Sequence, residues 1–205
     1  EFQKIIADYS KESLFTCAGH NRPMLFAFLE RFTNVLGLPN LTIPSNVCSI
    51  PRILAYKDTF GFTPLEDVSK KTKSILLWGY NPTYTRGKIA IMINKAIKSG
   101  SKLVVIDPLE TPHVDKVHKW LPVRSGTDLV LALGMINIII QEGWYDLDFI
   151  NRHIIGFDKL VENVKDYNLD MVADITDLSC EAIWETARLF AQENLSVIAV
   201  SNALE

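Results

Sequence analysis

The stretch SILLWGYNPTYTRGKIAIMINKAIKSGSKLVVIDP, residues 74–108, decides the fold. SILLW (74–78) is a short continuous apolar run, the pattern of a strand buried on both faces. After the loop GYNPT comes a helical segment that places Ile89, Ile93, Ala96 and Ile97 on one face. Gly100 closes it, and KLVVI (102–106) is a second buried strand. A strand, helix and strand in this order form a right-handed βαβ unit of a parallel sheet, which needs helices above and below it. The expected class is α/β, with parallel sheets and helices on both faces.

Working outward, SLFTCAG (13–19) reads as another strand, followed by an amphipathic helix from Arg22 to about Leu36 that ends at Gly37. Beyond the βαβ unit come a short WLPV segment, a helix opened by SGTD (125–128) and ended by Gly143, and helices around 146–151, 156–165 and 179–192. Ser179 is a candidate N-cap with Glu181 in the first turn, and SVIAV (196–200) is the last strand. The polar, turn-like FTPLEDVSKKTK marks a seam, dividing the chain into a partial α/β subdomain (1–60) and a Rossmann-like domain (61–205). EFQKIIADYSKES reads as an amphipathic helix already in progress, without the layout of a signal peptide. With a strand running to Val200, this is the expectation for a piece excised from a larger protein; the terminal Leu204-Glu205 could be native or an expression scar.

The 205 residues are 48% hydrophobic and 22% charged, enough apolar material for a proper core. A formal charge of −3 with scattered lysines offers no basic footprint for nucleic acid. No apolar run reaches the roughly 18 residues of a membrane span, and LVLALGMINIII (129–140) is read as a buried helix. Cys17, Cys48 and Cys180 lack C-x-x-C spacing, which argues against a zinc ribbon or a disulfide framework and mildly favours a reduced compartment. Cys17 is expected in the core. Cys180, at a helix start, is open to a lowered pKa, though packing is its simpler role. His20, His113, His118 and His153 are widely spaced and expected mostly at the surface, against a zinc site.

In an open parallel sheet, ligands sit at the carboxyl ends of the strands. Here those ends read WGYNPT (78–83) and IDP (106–108), neither of them the G-x-G-x-x-G of an ordinary NAD site. Gly79 lets the backbone approach a ligand, Asn81 offers an amide before a rigid proline, and Asp107 sits where an acidic residue can hold a ribose hydroxyl. A set of plain loop turns fits the same residues. In SGTD, Thr127 or Asp128 could simply cap a helix, or the Asp128 carboxylate could accept both the N1 proton and the exocyclic amine of a guanine. Cys48, in SNVCSIPR (45–52), lies among the turn signals Pro39, Pro44 and Pro51, outside any expected helix or strand.

Taken in order, ESLFTCAG, NVCSIPR, ILLWGYNPTYT, GSKLVVIDP, VRSGTDLVLALGMINIIIQEGWYDLDFI and IWETARLFAQENLSVIAVSNALE resemble the catalytic subunits of molybdopterin oxidoreductases, the dimethyl sulfoxide reductase superfamily. WGYNP, VIDP and GTD, joined to the following apolar helix and GWYD, are far more specific together than apart. The resemblance implies the fold of formate dehydrogenase/DMSO reductase domains 1–3 and molybdenum or tungsten bound by a pair of molybdopterin guanine dinucleotides. It implies that Cys48 is the protein ligand to the metal, with Pro51 in the family's place three residues later. Gly79, Asn81, Pro82 and Thr85 would lie along one dinucleotide's phosphates. Asp107, followed by Pro108, would face its ribose, and Asp128, in the turn with Gly126, its guanine.

The chain departs from the family pattern at Leu109, where many members have arginine, and at His113 and His118, where they have threonine and aspartate. Ser49 stands where formate dehydrogenases have histidine, which favours reduction of an oxyanion, a sulfur compound or an N- or S-oxide, or hydratase or transhydroxylase chemistry, over formate oxidation. The resemblance further implies a small-molecule substrate, a 4Fe-4S cluster outside this chain, an iron–sulfur electron-transfer partner subunit, and a cytoplasmic or periplasmic parent active in anaerobic respiration. The excised piece is expected to be catalytically silent. The rivals are a cofactor-free structural or electron-transfer subunit that keeps the fold, and a NAD- or thiamine-type nucleotide enzyme on a similar sheet, which the missing fingerprint disfavours.

Overall fold

The computed structural model describes residues 1–19, 23–113 and 117–201, and the chain divides between Pro64 and Leu65 into two compact units. In the first unit, α1 (Phe2–Asp8) precedes strand β1 (Phe15–Cys17), helix α2 (Pro23–Leu36), strand β2 (Asn40–Thr42), a 3-10 turn (Pro44–Val47) and helix α3 (Ser49–Phe60). Strands β1 and β2 pair in parallel, with Thr16 opposite Leu41. Arg22, expected to start the helix, lies outside the described residues. Helix α3 was hidden in the sequence by its own Pro51 and by Pro44 just before it. Pro51 occupies its first turn, where backbone N–H groups have no partner to lose, so the residue that suggested a turn is accommodated inside a helix. Cys17 is exposed, not core as expected, because β1 belongs to a sheet of two short strands. Thr33 and Leu38 are the buried residues among those described in this unit.

The second unit is built on a four-stranded, all-parallel sheet of order β5-β4-β3-β6. Strands β3 (Ser74–Trp78), β4 (Lys102–Ile106) and β6 (Ser196–Val200) have the bounds read from their apolar runs, and β5 (Lys119–Leu121) arises from the WLPV segment. All five residues of β3 are buried. Its side chains alternate between faces. Ile75 and Leu77 pack with Leu103, Val105, Val68 and, from helix α5 (Gly87–Lys98), Ile93 and Ala96. Leu76 and Trp78 pack with Val104, Ile106 and the apolar sides of α6 (Asp128–Gln141), α9 (Leu169–Thr176) and α10 (Cys180–Gln192). The long apolar stretch 129–140 is thus a helix with a buried face, and among the described residues no helix is long and apolar enough to cross a membrane.

Helices α7 (Leu147–His153), α9 and α10 start at Asp146, Asn168 and Ser179, whose side chains accept from the amides of Phe149, Met171 and Ala182. Helix α8 (Phe157–Val164) begins instead after Gly156. Helix α9 was not expected from the sequence, although Asn168 is a regular capping signal. Where α9 crosses α6, Gly134 leaves no room for a side chain: a β-carbon there would stand 2.6 Å from Cγ2 of Val172.

The chain leaves β3 on one side towards β4 and β5 and returns through α6 to α10 to place β6 on the other side. That change of direction makes the carboxyl edge beside β3 a topological switch point, the place where an open parallel sheet binds ligands.

Candidate functional site

Strand β3 hands over at Gly79, whose φ of 54° lies in the left-handed region that side chains disfavour. Its amide donates to the carbonyl of Ile106 at 2.9 Å, tying the exit of β3 to the end of β4. Asn81 then opens the short helix α4 (Pro82–Thr85), with Pro82 buried at the first helical position. The Asn81 carbonyl accepts from the Thr85 hydroxyl at 2.8 Å and from the amides of Tyr84 and Thr85 at 3.3 Å. In this arrangement Thr85 has spent its hydroxyl proton inside the turn.

On the neighbouring strand, Asp107 Oδ1 accepts from the Leu109 amide at 2.8 Å, and the Asp107 carbonyl accepts from the indole of Trp120 at 2.9 Å. Half-buried Asp107 is therefore held from both sides, while Pro108 beside it is exposed. Among the described residues, two buried side-chain atoms have no hydrogen-bond partner, Asn81 Oδ1 and Thr111 Oγ1. Both residues line one open cleft of about 500 Å³, with Tyr84, Asp107, Leu109, Glu110 and Pro112 completing its walls. Buried polar atoms left unpaired are uncommon and costly, so two on one cleft make it the candidate site for a polar ligand. The amide oxygen of Asn81 and the carboxylate of Asp107 can accept from sugar hydroxyls, and the Thr111 hydroxyl can donate to an anionic oxygen. Leu109, 72% exposed, brings no cation to this wall, so the cleft suits a ribose better than an unshielded phosphate. Thr111 was not singled out in the sequence, where its only signal is its place just after IDP.

A second acidic residue stands on the loop into α6. Gly126 has φ 84°, but a β-carbon there would meet nothing within 4 Å, so the turn alone requires glycine. Neither member of Thr127-Asp128 caps the helix with its side chain: the Thr127 hydroxyl donates to the Arg124 carbonyl at 2.7 Å, and Asp128 Oδ1 accepts from Nε1 of Trp78 at 2.7 Å. The loop is held from outside by Arg124, which grips both carboxylate oxygens of Asp177 at 2.7 and 2.8 Å, and whose amide donates to the carbonyl of Thr176 at 3.0 Å. Asp107 and Asp128 thus both follow strands of the sheet at its carboxyl edge, one after β4 and the other after β5.

In the first unit, Cys48 is half-buried at the junction of the 3-10 turn and α3, its amide donating to the Ser45 carbonyl at 3.3 Å. Among the other candidates, His118 and His153 are exposed, whereas His113 is buried, contrary to expectation, and lies 3.4 Å from the hydroxyl of Thr83. His113 thereby links the loop carrying Thr111 to α4. Burial, with Asp170 beside it at 3.5 Å, pushes the Cys180 thiol up, opposite to the shift open to it from its helix start. Burial, reinforced by Glu66, also raises the Tyr80 phenol, which donates to Glu66 at 3.4 Å.

Comparison with known proteins gives this geometry a context. The molybdopterin oxidoreductase family matches residues 1–196. Acetylene hydratase of Syntrophotalea acetylenica is 35% identical over the whole of this chain, which covers 28% of that protein. The assimilatory nitrate reductase catalytic subunit of Bacillus subtilis is 30% identical over 86% of the chain and 26% of its own length. The solved structure of acetylene hydratase from Pelobacter acetylenicus superposes with a TM-score of 0.76 at 33% identity, covering 98% of this chain and 28% of that one. The chain therefore spans little more than a quarter of the relatives it matches.

Proposed function

The chain belongs to the molybdopterin oxidoreductase family, and from that premise we propose that it is the part of a molybdenum or tungsten enzyme that grips one of two molybdopterin guanine dinucleotides. The observation that carries this reading is the pair of unpartnered buried atoms, Asn81 Oδ1 and Thr111 Oγ1, on the cleft beside Asp107. When bound, such a cofactor supplies a metal able to change oxidation state and exchange an oxygen atom with substrate. The residues of this chain bind and orient. Asn81 and Asp107 accept from ribose hydroxyls, Thr111 donates towards phosphate oxygen, and Gly79, Pro82, Pro108 and Gly126 shape the turns that bring the backbone close. Asp128 accepts from the guanine edge. Cys48 is the candidate protein ligand, since a thiolate suits a metal already held by sulfur.

The reaction class is reduction of an oxyanion, a sulfur compound or an N- or S-oxide, with electrons passing through iron–sulfur centres in the parent. Hydration is the second reading, favoured by the 35% identity to an acetylene hydratase over the entire chain. The test is anaerobic production of the complete natural protein as wild type and as Cys48→Ala, followed by metal analysis and pterin extraction. Molybdenum or tungsten with pterin in the wild type, and metal lost from the variant, supports the reading. A folded wild type containing neither would overturn it in favour of a cofactor-free relative. Acetaldehyde formed from acetylene without added reductant would select hydration; turnover only with a reduced dye would select reduction.

A further inference from the structure

Trp78 is buried in the core, so its indole N–H needs an acceptor, and the one it finds is a side chain of the candidate site. Its indole is 6% exposed and packs among the apolar side chains between the sheet and α6, and its single polar atom donates to Asp128 Oδ1 at 2.7 Å. We propose that Trp78 is a specificity-determining positioning residue, whose indole N–H fixes the plane of the Asp128 carboxylate so that it recognises a guanine through two bonds at once; this rests on the guanine role given to Asp128 above.

A guanine presents its N1–H and one exocyclic N–H side by side, and a carboxylate accepts both only if its plane is aligned with the base. A single-bond partner makes no such demand. Each carboxylate oxygen has two lone pairs, so Oδ1 can take the indole proton and still accept from the base, while Oδ2 takes the other base proton. The backbone under the carboxylate is fixed as well, because the loop leading to Asp128 is clamped by the paired contacts of Arg124 with Asp177. With both backbone and carboxylate held, the two-bond geometry is set before the base arrives, and the ordering cost of binding falls.

The experiment uses the complete natural protein produced without cofactor, as wild type and Trp78→Phe, with GMP, IMP and AMP as probes. IMP lacks the exocyclic amine and can make only one of the two bonds. AMP turns an acceptor nitrogen towards the carboxylate. The wild type is expected to prefer GMP over IMP, and Trp78→Phe to reduce that preference by about three- to tenfold, the GMP affinity falling more than the IMP affinity. If Trp78→Phe weakens the fold but leaves the ratio unchanged, the indole is only a packing element and the proposal fails. If the wild type does not discriminate GMP from AMP, the guanine role of Asp128 fails first. Should Trp78→Phe not fold, the indole N–H resonance of 15N-tryptophan-labelled protein decides. It should sit downfield in the wild type, shift on addition of GMP and move upfield in Asp128→Asn; a resonance indifferent to both overturns the proposal.

Discussion

Replacing Gly134 with alanine sets two opposing effects against each other at the α6–α9 crossing. Alanine in place of glycine inside a helix stabilises it by about 1 kcal/mol. The added methyl, however, would stand 2.6 Å from Cγ2 and 2.9 Å from Cγ1 of Val172, a fully buried side chain. Rotating Val172 brings one γ-carbon where the other was, and a β-branched residue in a helix has one strongly preferred rotamer, so the clash has no inexpensive exit. Overpacking of this kind costs about 1–3 kcal/mol, and with both γ-carbons obstructed the upper half of that range applies. The net expectation for Gly134→Ala is a loss of about 1–2 kcal/mol. In a Val172→Ala background both γ-carbons are gone and only the β-carbon, at 3.2 Å, stays close, so the same substitution becomes neutral to stabilising, by up to about 1 kcal/mol. Urea unfolding followed by tryptophan fluorescence reads the right unit, because Trp78, Trp120, Trp144 and Trp184 all lie beyond Leu65. An equal cost of Gly134→Ala in both backgrounds would refute the reasoning, since a contact-driven effect must appear as coupling between the two sites.

Thr111→Val removes a buried hydroxyl without a partner, so the cofactor-free chain should gain about 1 kcal/mol in urea while the complete protein retains less pterin; a destabilised cofactor-free chain would show that the hydroxyl is paired. Asp107→Asn should likewise lower the guanine dinucleotide extracted per protein with the unfolding midpoint nearly unchanged. Lys119 holds the Glu185 carboxyl below its ordinary value of 4.5, so this pair adds stability above that pH that is lost as the solution is acidified through the lower, folded value. The difference in urea midpoint between wild type and Glu185→Gln should therefore be constant near neutrality and shrink below about pH 4.5; a constant difference down to pH 3 would argue against the pairing. Iodoacetamide at pH 8 should label exposed Cys17 well before Cys180, whose thiol is pushed up by burial and Asp170, as mass spectrometry of the digested chain would show.

The parallel sheet was legible because β3 and β4 are buried on both faces, and such strands write themselves as the unbroken apolar runs SILLW and KLVVI; the edge strand β6 keeps the same kind of run, SVIAV, although Ala199 is its one buried residue. In the first unit β1 was read from SLFTCAG, but β2 and α3 were not. Strand β2 has three residues, and α3 carries a proline in its first turn, a position where proline costs a helix little yet reads as a break. Cys17 misled because an apolar run implies burial only when other layers cover it. At the candidate site, the loops were readable from their position after strands and from glycine and proline. Partners remote in sequence were not: the bond between Trp78 and Asp128 joins residues 50 apart, and the unpaired state of Thr111 depends on what surrounds it in space. The departure of His113 from the surface has the same origin, since burial of a polar ring leaves no local pattern.

The central strand of the large sheet has one neighbour close by in the chain and the other far away. Strand β4 follows β3 after the two helices α4 and α5, but Ser74 meets its partner on β6, Ser196, 122 residues later. At about 5–20 residues per second, a ribosome would make the two strands about 6–24 s apart. For that interval β3, apolar but for Ser74, presents an unpaired edge, the kind of surface on which nascent chains associate wrongly. Because β4 lies on the opposite side of β3, it cannot cover that edge, and a chain halted before Ser196 should aggregate rather than persist as a smaller folded domain.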